Sequence, residues 1–285
     1  MSRFARFAAI DWSGAKGKRH KGIAVGLCEA GGDPPFLLDP PDGRAWSRTQ
    51  IMDWVRGAAA EAPTLFGFDF SYAPPIAERG AYFPGEEGVP DEAKAFWAYV
   101  DGACADEDLG AASFLETRHR RHFYFGAADG VKRDFLHHRA CEHAFNAIGG
   151  GKASTLYDAI GAAQVAKASY AGMRLLNRLN PALPVWPMDA LPPQGSIIVE
   201  IYTRVFILMA GRNGRKIRTL ADLNSALAAL GSRPLTMPRE PNDHETDVLV
   251  SAAGLRRIAD DPLYWSPAAL TPQLARSEGW TFGVL

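Results

Sequence analysis

The fold is decided by the stretch Phe7-Ala8-Ala9-Ile10-Asp11-Trp12-Ser13-Gly14, a short apolar run that ends in a carboxylate and a turn. An apolar run of this length, bounded by a turn, predicts a buried strand. A charge at the end of a buried strand needs a metal ion, a partner or water. The alternative interpretation is that Asp11 only caps the Ser-Gly turn, and carboxylates further along the chain bear on the choice.

A second strand of the same kind follows. Ser47 and Gln50 have the spacing of a capping box, which predicts a helix that runs to about Glu61. The next apolar run, Leu65-Phe66-Gly67-Phe68-Asp69-Phe70, again carries an aspartate. Because parallel strands bring equivalent ends to one edge of a sheet, Asp11 and Asp69 are expected to converge where open α/β sheets bind ligands.

The segment between Asp11 and the apolar run 22–27 predicts a hairpin with a basic turn. The turn carries Lys16, Lys18 and Arg19. These side chains either form a solvated tip that protects a sheet edge or contact a substrate phosphate near Asp11.

Residues 76–195 predict a largely helical insertion between the fourth and fifth strands, with one helix over 92–105. The stretch 118–125 interleaves basic and aromatic residues, which suits phosphate contact and base stacking, and its candidate phosphate ligands are Arg118, Arg120 and Arg121. The alternative is a solvated helix face. A zinc cluster of His119, His122 and His138 is the less favoured interpretation, because no zinc-motif spacing is present.

In the second half, residues 196–202 predict the strongest strand and place Glu200 within it. Glu200 is either an acid of the site or the partner of Arg204 or another structural arginine. Helices are predicted over 156–161, 170–179 and 220–230, and a final strand over 278–285.

The stretch Asn242-Asp243-His244-Glu245-Thr246-Asp247 opens a predicted helix that runs through Ala259. Helical spacing places Asp243, Asp247, Ser251 and Gly254 on one face, and the two small residues would let this face approach a strand closely. The helix dipole accounts for acids in the first turn but poorly for Asp247, which lies further in.

Carboxylates gathered from separate elements repel one another unless a cation neutralises them. Oxygen-rich sites suit Mg²⁺ or Mn²⁺, and two such ions about 3.5–4 Å apart serve phosphoryl transfer. His244 is a candidate metal ligand or water-activating base. The candidate metal-site acids are Asp11, Asp69, Glu200, Asp243 and Asp247.

Composition sets outer limits on the function. The 285 residues are 47% hydrophobic and 22% charged with a net charge of −1, so a nucleic-acid contact would come from a local basic patch. The three separated cysteines indicate a reducing compartment and no cysteine zinc site. With no membrane-length apolar run, a cytoplasmic location without membrane contact is expected.

The segments Ala9-Ile10-Asp11, Gly67-Phe68-Asp69 and His244-Glu245-Thr246-Asp247 resemble the acidic stations of the nuclease branch of the ribonuclease H-like superfamily. The last segment is similar to the His-x-x-Asp helix of RuvC-type resolvases. More of the chain resembles the predicted-nuclease family named domain of unknown function 429, although that family usually has a proline where Thr203 follows Tyr202.

This resemblance implies one ribonuclease H-like domain over residues 1–285, with a mixed sheet, flanking helices and a divalent-metal phosphodiesterase site. It implies that Asp11, Asp69 and Asp247 are metal ligands and that His244 is a ligand or a base. It also implies that Glu200 is an additional acid near the site.

Two other functions fit parts of the sequence. An ATP-dependent phosphotransferase of the actin and sugar-kinase type would use the Asp11-Trp12-Ser13-Gly14 turn, but no second glycine-rich phosphate hairpin is present in the sequence. A non-catalytic nucleic-acid or protein binding module would retain the acids without activity. The first expectation is a metal-dependent nuclease acting on DNA or RNA.

Overall fold

The described residues form an α/β fold with a mixed six-stranded sheet flanked by helices. The structure is a computed structural model, and it describes residues 2–151, 155–160, 165–212 and 216–285. The strand order is β3-β2-β1-β4-β6-β5. The first three strands pair antiparallel, whereas β1, β4, β6 and β5 pair parallel. The strands are β1 (Arg6–Asp11), β2 (Ala24–Glu29), β3 (Phe36–Leu37), β4 (Thr64–Asp69), β5 (Val185–Trp186) and β6 (Ile197–Glu200).

The helices lie between the parallel strands in the chain or follow them. They are α1 (Arg48–Glu61), α2 (Ala93–Ala103), α3 (Ala140–Ala147), α4 (Val165–Leu179), α5 (Thr203–Met209), α6 (Leu220–Ala229), α7 (Asp243–Ile258), α8 (Pro262–Trp265) and α9 (Pro272–Ser277). Within the ranges that the structure describes, every helix is too short or too polar to cross a membrane. Helices α2 to α4 lie between β4 and β5, and their status as an insertion in a ribonuclease H-like domain stays a prediction.

Both faces of the sheet are covered. Along β1, Ala8 and Ile10 belong to one core with α1, α2 and α4, whereas Phe7 and Ala9 belong to the other core with α5, α6 and α7. Alternate residues of a strand point to opposite faces, so a strand buried on both sides must be apolar throughout. This explains why β1 reads as an unbroken apolar run before Asp11.

Several local predictions are confirmed. Strands β1 and β2 form an antiparallel hairpin in which Asp11 is opposite Ala24. Helix α1 begins after Ser47, whose hydroxyl accepts from the Gln50 N–H while the Gln50 side chain accepts from the Ser47 N–H. The cysteines are free and buried.

Two predicted elements are wrong. Residues 156–160 form a turn, with a β-bridge between Tyr124 and Asp158, and Gly161 lies outside the described residues. Residues 278–285 form one bridge, between Glu200 and Thr281, instead of a strand. Gly279 and Gly283 have φ values of 74° and 102°, so the backbone turns twice and cannot stay extended.

Helix α7 approaches the sheet closely at a glycine of the strand. A Cβ on Gly26 of β2 would lie 2.6 Å from the Val248 carbonyl oxygen of α7. The small residues of α7 pack elsewhere: Ser251 bonds the Thr203 hydroxyl at 3.0 Å, and a Cβ on Gly254 would lie 2.2 Å from Phe206. The expectation that these small residues face a strand is therefore wrong, since they face helix α5.

Candidate active site

Two aspartates end adjacent parallel strands at the same level. Asp11 of β1 and Asp69 of β4 are register partners. Ala9 of β1 belongs to the hydrophobic core that includes α7. A Cβ on Gly67 of β4 would lie 2.8 Å from the Leu255 side chain of the same helix. Because strand side chains repeat every two residues, Asp11 and Asp69 lie on the α7 face as well. The predicted convergence of Asp11 and Asp69 at one edge of the sheet is therefore confirmed.

Helix α7 brings an imidazole and a third carboxylate to this face. The helix begins at Asp243, because the Asn242 side chain accepts from the Glu245 N–H and the Glu245 side chain accepts from the Asn242 N–H. This start places His244 so that its Nδ1 lies 2.5 Å from Asp11 Oδ2. One turn further, Asp247 lines the same cleft.

The charges of these groups perturb one another. Burial, followed by the charges of Asp11 and Asp247, raises the pKa of Asp69 well above its ordinary value. Burial, followed by the charges of Asp11 and Asp243, raises the pKa of Asp247 to about 7. The hydrogen bond to Asp11 raises the pKa of His244. The face therefore holds more negative potential than its own cations neutralise.

These residues line an open cleft of about 690 Å³. Its walls come from the turn after β1, the end of β4, the start of α4, the end of β6 and the start of α7. Gly14 closes the turn against α4, since a Cβ there would lie 2.2 Å from the Ala168 nitrogen. Tyr202 also lines the cleft and is 37% exposed.

Glu200 lines the cleft but is engaged by a buried arginine. Its Oε2 accepts from Arg139 Nη1 at 2.7 Å, and its Oε1 accepts from Arg139 Nη2 at 2.5 Å. The Tyr72 N–H and the Thr281 hydroxyl also donate to it, at 2.8 and 2.7 Å. These contacts favour the structural-arginine interpretation of Glu200. The partner is Arg139 rather than Arg204, which donates to the Gly150 carbonyl instead.

Two residues that bind the site's acids were not found from the sequence. Lys216 lines the cleft and pairs with Asp243, with Nζ 2.7 Å from Oδ2. Thr203 donates to Asp69 Oδ2 at 3.2 Å. In the sequence, Thr203 is notable only because it stands where the resembling family usually has a proline. No sequence signal marks Lys216.

The basic residues proposed to hold substrate phosphate have acidic or aromatic partners. None of the six proposed phosphate ligands is among the described residues that line the cleft. Arg118 lies over the Tyr99 ring at 5.2 Å. The other five form ion pairs: Lys16–Glu116, Lys18–Glu107, Arg19–Asp42, Arg120–Asp129 and Arg121–Glu86.

The histidine-rich stretch forms short π-helical and 3-10 turns rather than one α-helix, and helix α3 begins only at Ala140. His119 and His122 lie with Glu86, and the candidate ligand atoms of this group are within 4.8 Å of one another. His138 is not in this group; its ring lies 5.7 Å from that of His143.

Comparison of the chain with protein-family models, with curated proteins and with solved structures gave no match. Function is therefore inferred from the geometry of the cleft.

Proposed function

We propose that this protein is a divalent-metal-dependent nuclease that hydrolyses phosphodiester bonds of DNA or RNA in the cleft at the ends of β1 and β4. The observation that carries the proposal is the convergence of Asp11, Asp69 and Asp247 beside His244. The resemblance of these same segments to the ribonuclease H-like nucleases supports it, as does the mixed sheet.

The donor set of the cleft suits Mg²⁺ or Mn²⁺. Asp11, Asp69 and Asp247 offer carboxylate oxygens, which are the ligands that these hard cations prefer. In contrast, Glu200 is neutralised by Arg139 and Asp243 by Lys216, so these two acids are assigned to structural pairing. A bound divalent cation would supply Lewis-acid stabilisation of the phosphate oxygens and a more acidic water.

His244 is the proposed proton carrier. Asp11 fixes the ring through Nδ1, and within the described ranges Nε2 makes no hydrogen bond to the protein. The His244 side chain is 50% exposed and lines the cleft. An imidazole held by a carboxylate takes a proton from water or returns one to a leaving oxygen near neutral pH.

The proposed substrate contacts are few and local. Tyr202 presents an aromatic ring at the cleft, and an exposed ring can stack on an unpaired base. Lys216 offers a cation to a phosphate if it leaves Asp243. Lys16 and Lys167 both pair with Glu116 near the Gly14 turn, so this carboxylate already neutralises part of their charge.

The test is cleavage of labelled duplex, single-stranded and branched DNA and RNA in Mg²⁺ or Mn²⁺. We compare the wild type with Asp69→Asn, His244→Gln and the control Asp53→Asn, an exposed acid of α1. Activity should fall about 10²-fold or more in the first two variants, as for loss of a general acid–base group, and persist in the control.

A wild type without metal-dependent cleavage of any of these substrates would contradict the proposal. Binding of ATP without binding of oligonucleotides would instead favour the phosphotransferase alternative. Oligonucleotide binding that is unchanged in Asp69→Asn, without cleavage, would favour the binding module.

A further inference from the structure

A second polar cluster lies outside the cleft, around Phe83. The rings of His119 and His122 stack on Phe83, with centroid distances of 4.5 and 4.8 Å. Their side chains are only 3% and 7% exposed. Glu86, three residues after Phe83, turns back toward both imidazoles.

Two of the ligand-atom distances in the group are close to those of a metal site. Glu86 Oε1 lies 3.1 Å from His122 Nε2 and 3.8 Å from His119 Nδ1. Tetrahedral zinc with bonds of about 2.0–2.1 Å places its ligand atoms roughly 3.3 Å apart. The two observed distances lie on either side of that value.

One buried donor–acceptor atom of the cluster is unexplained. Among the described residues, the buried His119 Nδ1 has no hydrogen-bond partner, and it faces Glu86. The opposite ring nitrogen, Nε2, lies 2.9 Å from the Tyr99 hydroxyl oxygen. If Nε2 carries the proton and donates to Tyr99, Nδ1 presents a bare lone pair, which is the arrangement of a metal-ligating histidine with its outer hydrogen bond. A buried polar atom without a partner otherwise costs stability.

We propose that Glu86, His119 and His122 form a binding site for a first-row transition metal, Zn²⁺ in particular. Two imidazoles and one carboxylate are ligands that zinc accepts and that Mg²⁺ and Ca²⁺ do not favour. The fourth position is open to water, because the Glu86 side chain is 26% exposed.

A metal bound here would connect the loop at Glu86 to the turns at 119–122. The guanidinium of Arg121 brings a positive charge to the same group, with Nε 2.9 Å from Glu86 Oε1 and 3.3 Å from His122 Nε2. The Arg121 side chain is 62% exposed, so it can move into solvent when the cation enters. This site is independent of the carboxylates in the cleft.

The experiment is titration of the metal-stripped full-length chain with Co²⁺ and with Zn²⁺. Co²⁺ binding is followed by its visible absorption, and Zn²⁺ binding is followed by the rise in melting temperature. Four variants locate the metal: Glu86→Gln, His122→Gln, His143→Gln and Asp69→Asn. Glu86 is partly exposed, so its isosteric change should leave the fold intact.

We expect an intense tetrahedral-type Co²⁺ band that is lost in Glu86→Gln and His122→Gln, and a Zn²⁺-dependent melting shift that is reduced in both. Both should persist in His143→Gln, which removes a surface histidine paired with Glu78, and in Asp69→Asn. A Co²⁺ band that survives in Glu86→Gln and His122→Gln would overturn the proposal, as would the absence of any band in the wild type.

Discussion

Asp11 and Asp69 are register partners at the ends of adjacent strands, but among the described residues an imidazole lies within hydrogen-bond distance of Asp11 and not of Asp69. The His244 imidazole lies 2.5 Å from Asp11, whereas Asp69 accepts a hydrogen bond from the neutral Thr203 hydroxyl at 3.2 Å. Burial, followed by the charges of Asp11 and Asp247, raises the pKa of Asp69 well above its ordinary value, and one neutral hydrogen bond does not offset these effects.

Divalent cations should stabilise the protein through these acids. Millimolar Mn²⁺ should raise the melting temperature of the wild type, because a ligand that binds the native state adds to its stability. The shift should be reduced or absent in Asp69→Asn and Asp247→Asn, and it should remain in Asp53→Asn. Differential scanning calorimetry over a Mn²⁺ series measures it. An equal shift in all four proteins would place the bound metal elsewhere.

Asp247→Asn should change how stability depends on pH in metal-free buffer. The native state raises the pKa of Asp247 from 3.8 to about 7, so it binds the proton more tightly than the unfolded chain does. The free energy of unfolding therefore falls as pH rises through this interval and levels off above it.

The asparagine variant cannot ionise at this position. It should match the wild type near pH 4 and exceed its stability near pH 8, by at most on the order of 4 kcal/mol. Chemical denaturation in EDTA at the two pH values tests this. The same offset at both pH values would show that Asp247 does not titrate in this window.

Arg139→Met should destabilise the fold by about 3–5 kcal/mol, because it leaves the buried carboxylate of Glu200 without its partner. The matched control is Arg178→Met, which breaks a pair with Asp101 from a side chain that is 44% exposed. The control should cost about 1 kcal/mol or less. Urea denaturation of both variants gives the comparison. Similar losses would mean that Arg139 is not the counter-ion that the structure indicates.

Two helical glycines should respond to alanine with opposite signs. Gly254→Ala should cost about 1–3 kcal/mol or more, because the new Cβ would lie 2.2 Å from Phe206. Gly57→Ala in α1 meets no atom within 4 Å and should stabilise the protein by about 0.5–1 kcal/mol through helix propensity. Melting temperatures of the two variants decide it. Stabilisation in both would show that α5 and α7 can separate without loss.

The sequence by itself determined the elements whose causes are local. The apolar run before Asp11, the capping box at Ser47 and Gln50, and the cap at Asn242 define where β1, α1 and α7 begin or end. Side chains alternate between the two faces along a strand, so Asp11 and Asp69 lie on the same face of the sheet. This is why the core of the candidate site was predictable.

Only the tertiary structure decided which charges are free to act. Glu200 meets Arg139, 61 residues away in the chain, and Glu86 meets His122, 36 residues away. No periodicity links positions at such separations, because these contacts depend on how turns and helices pack in space. The same packing pairs five of the six predicted phosphate ligands with nearby acids, so residue type alone overstated the basic surface near the cleft.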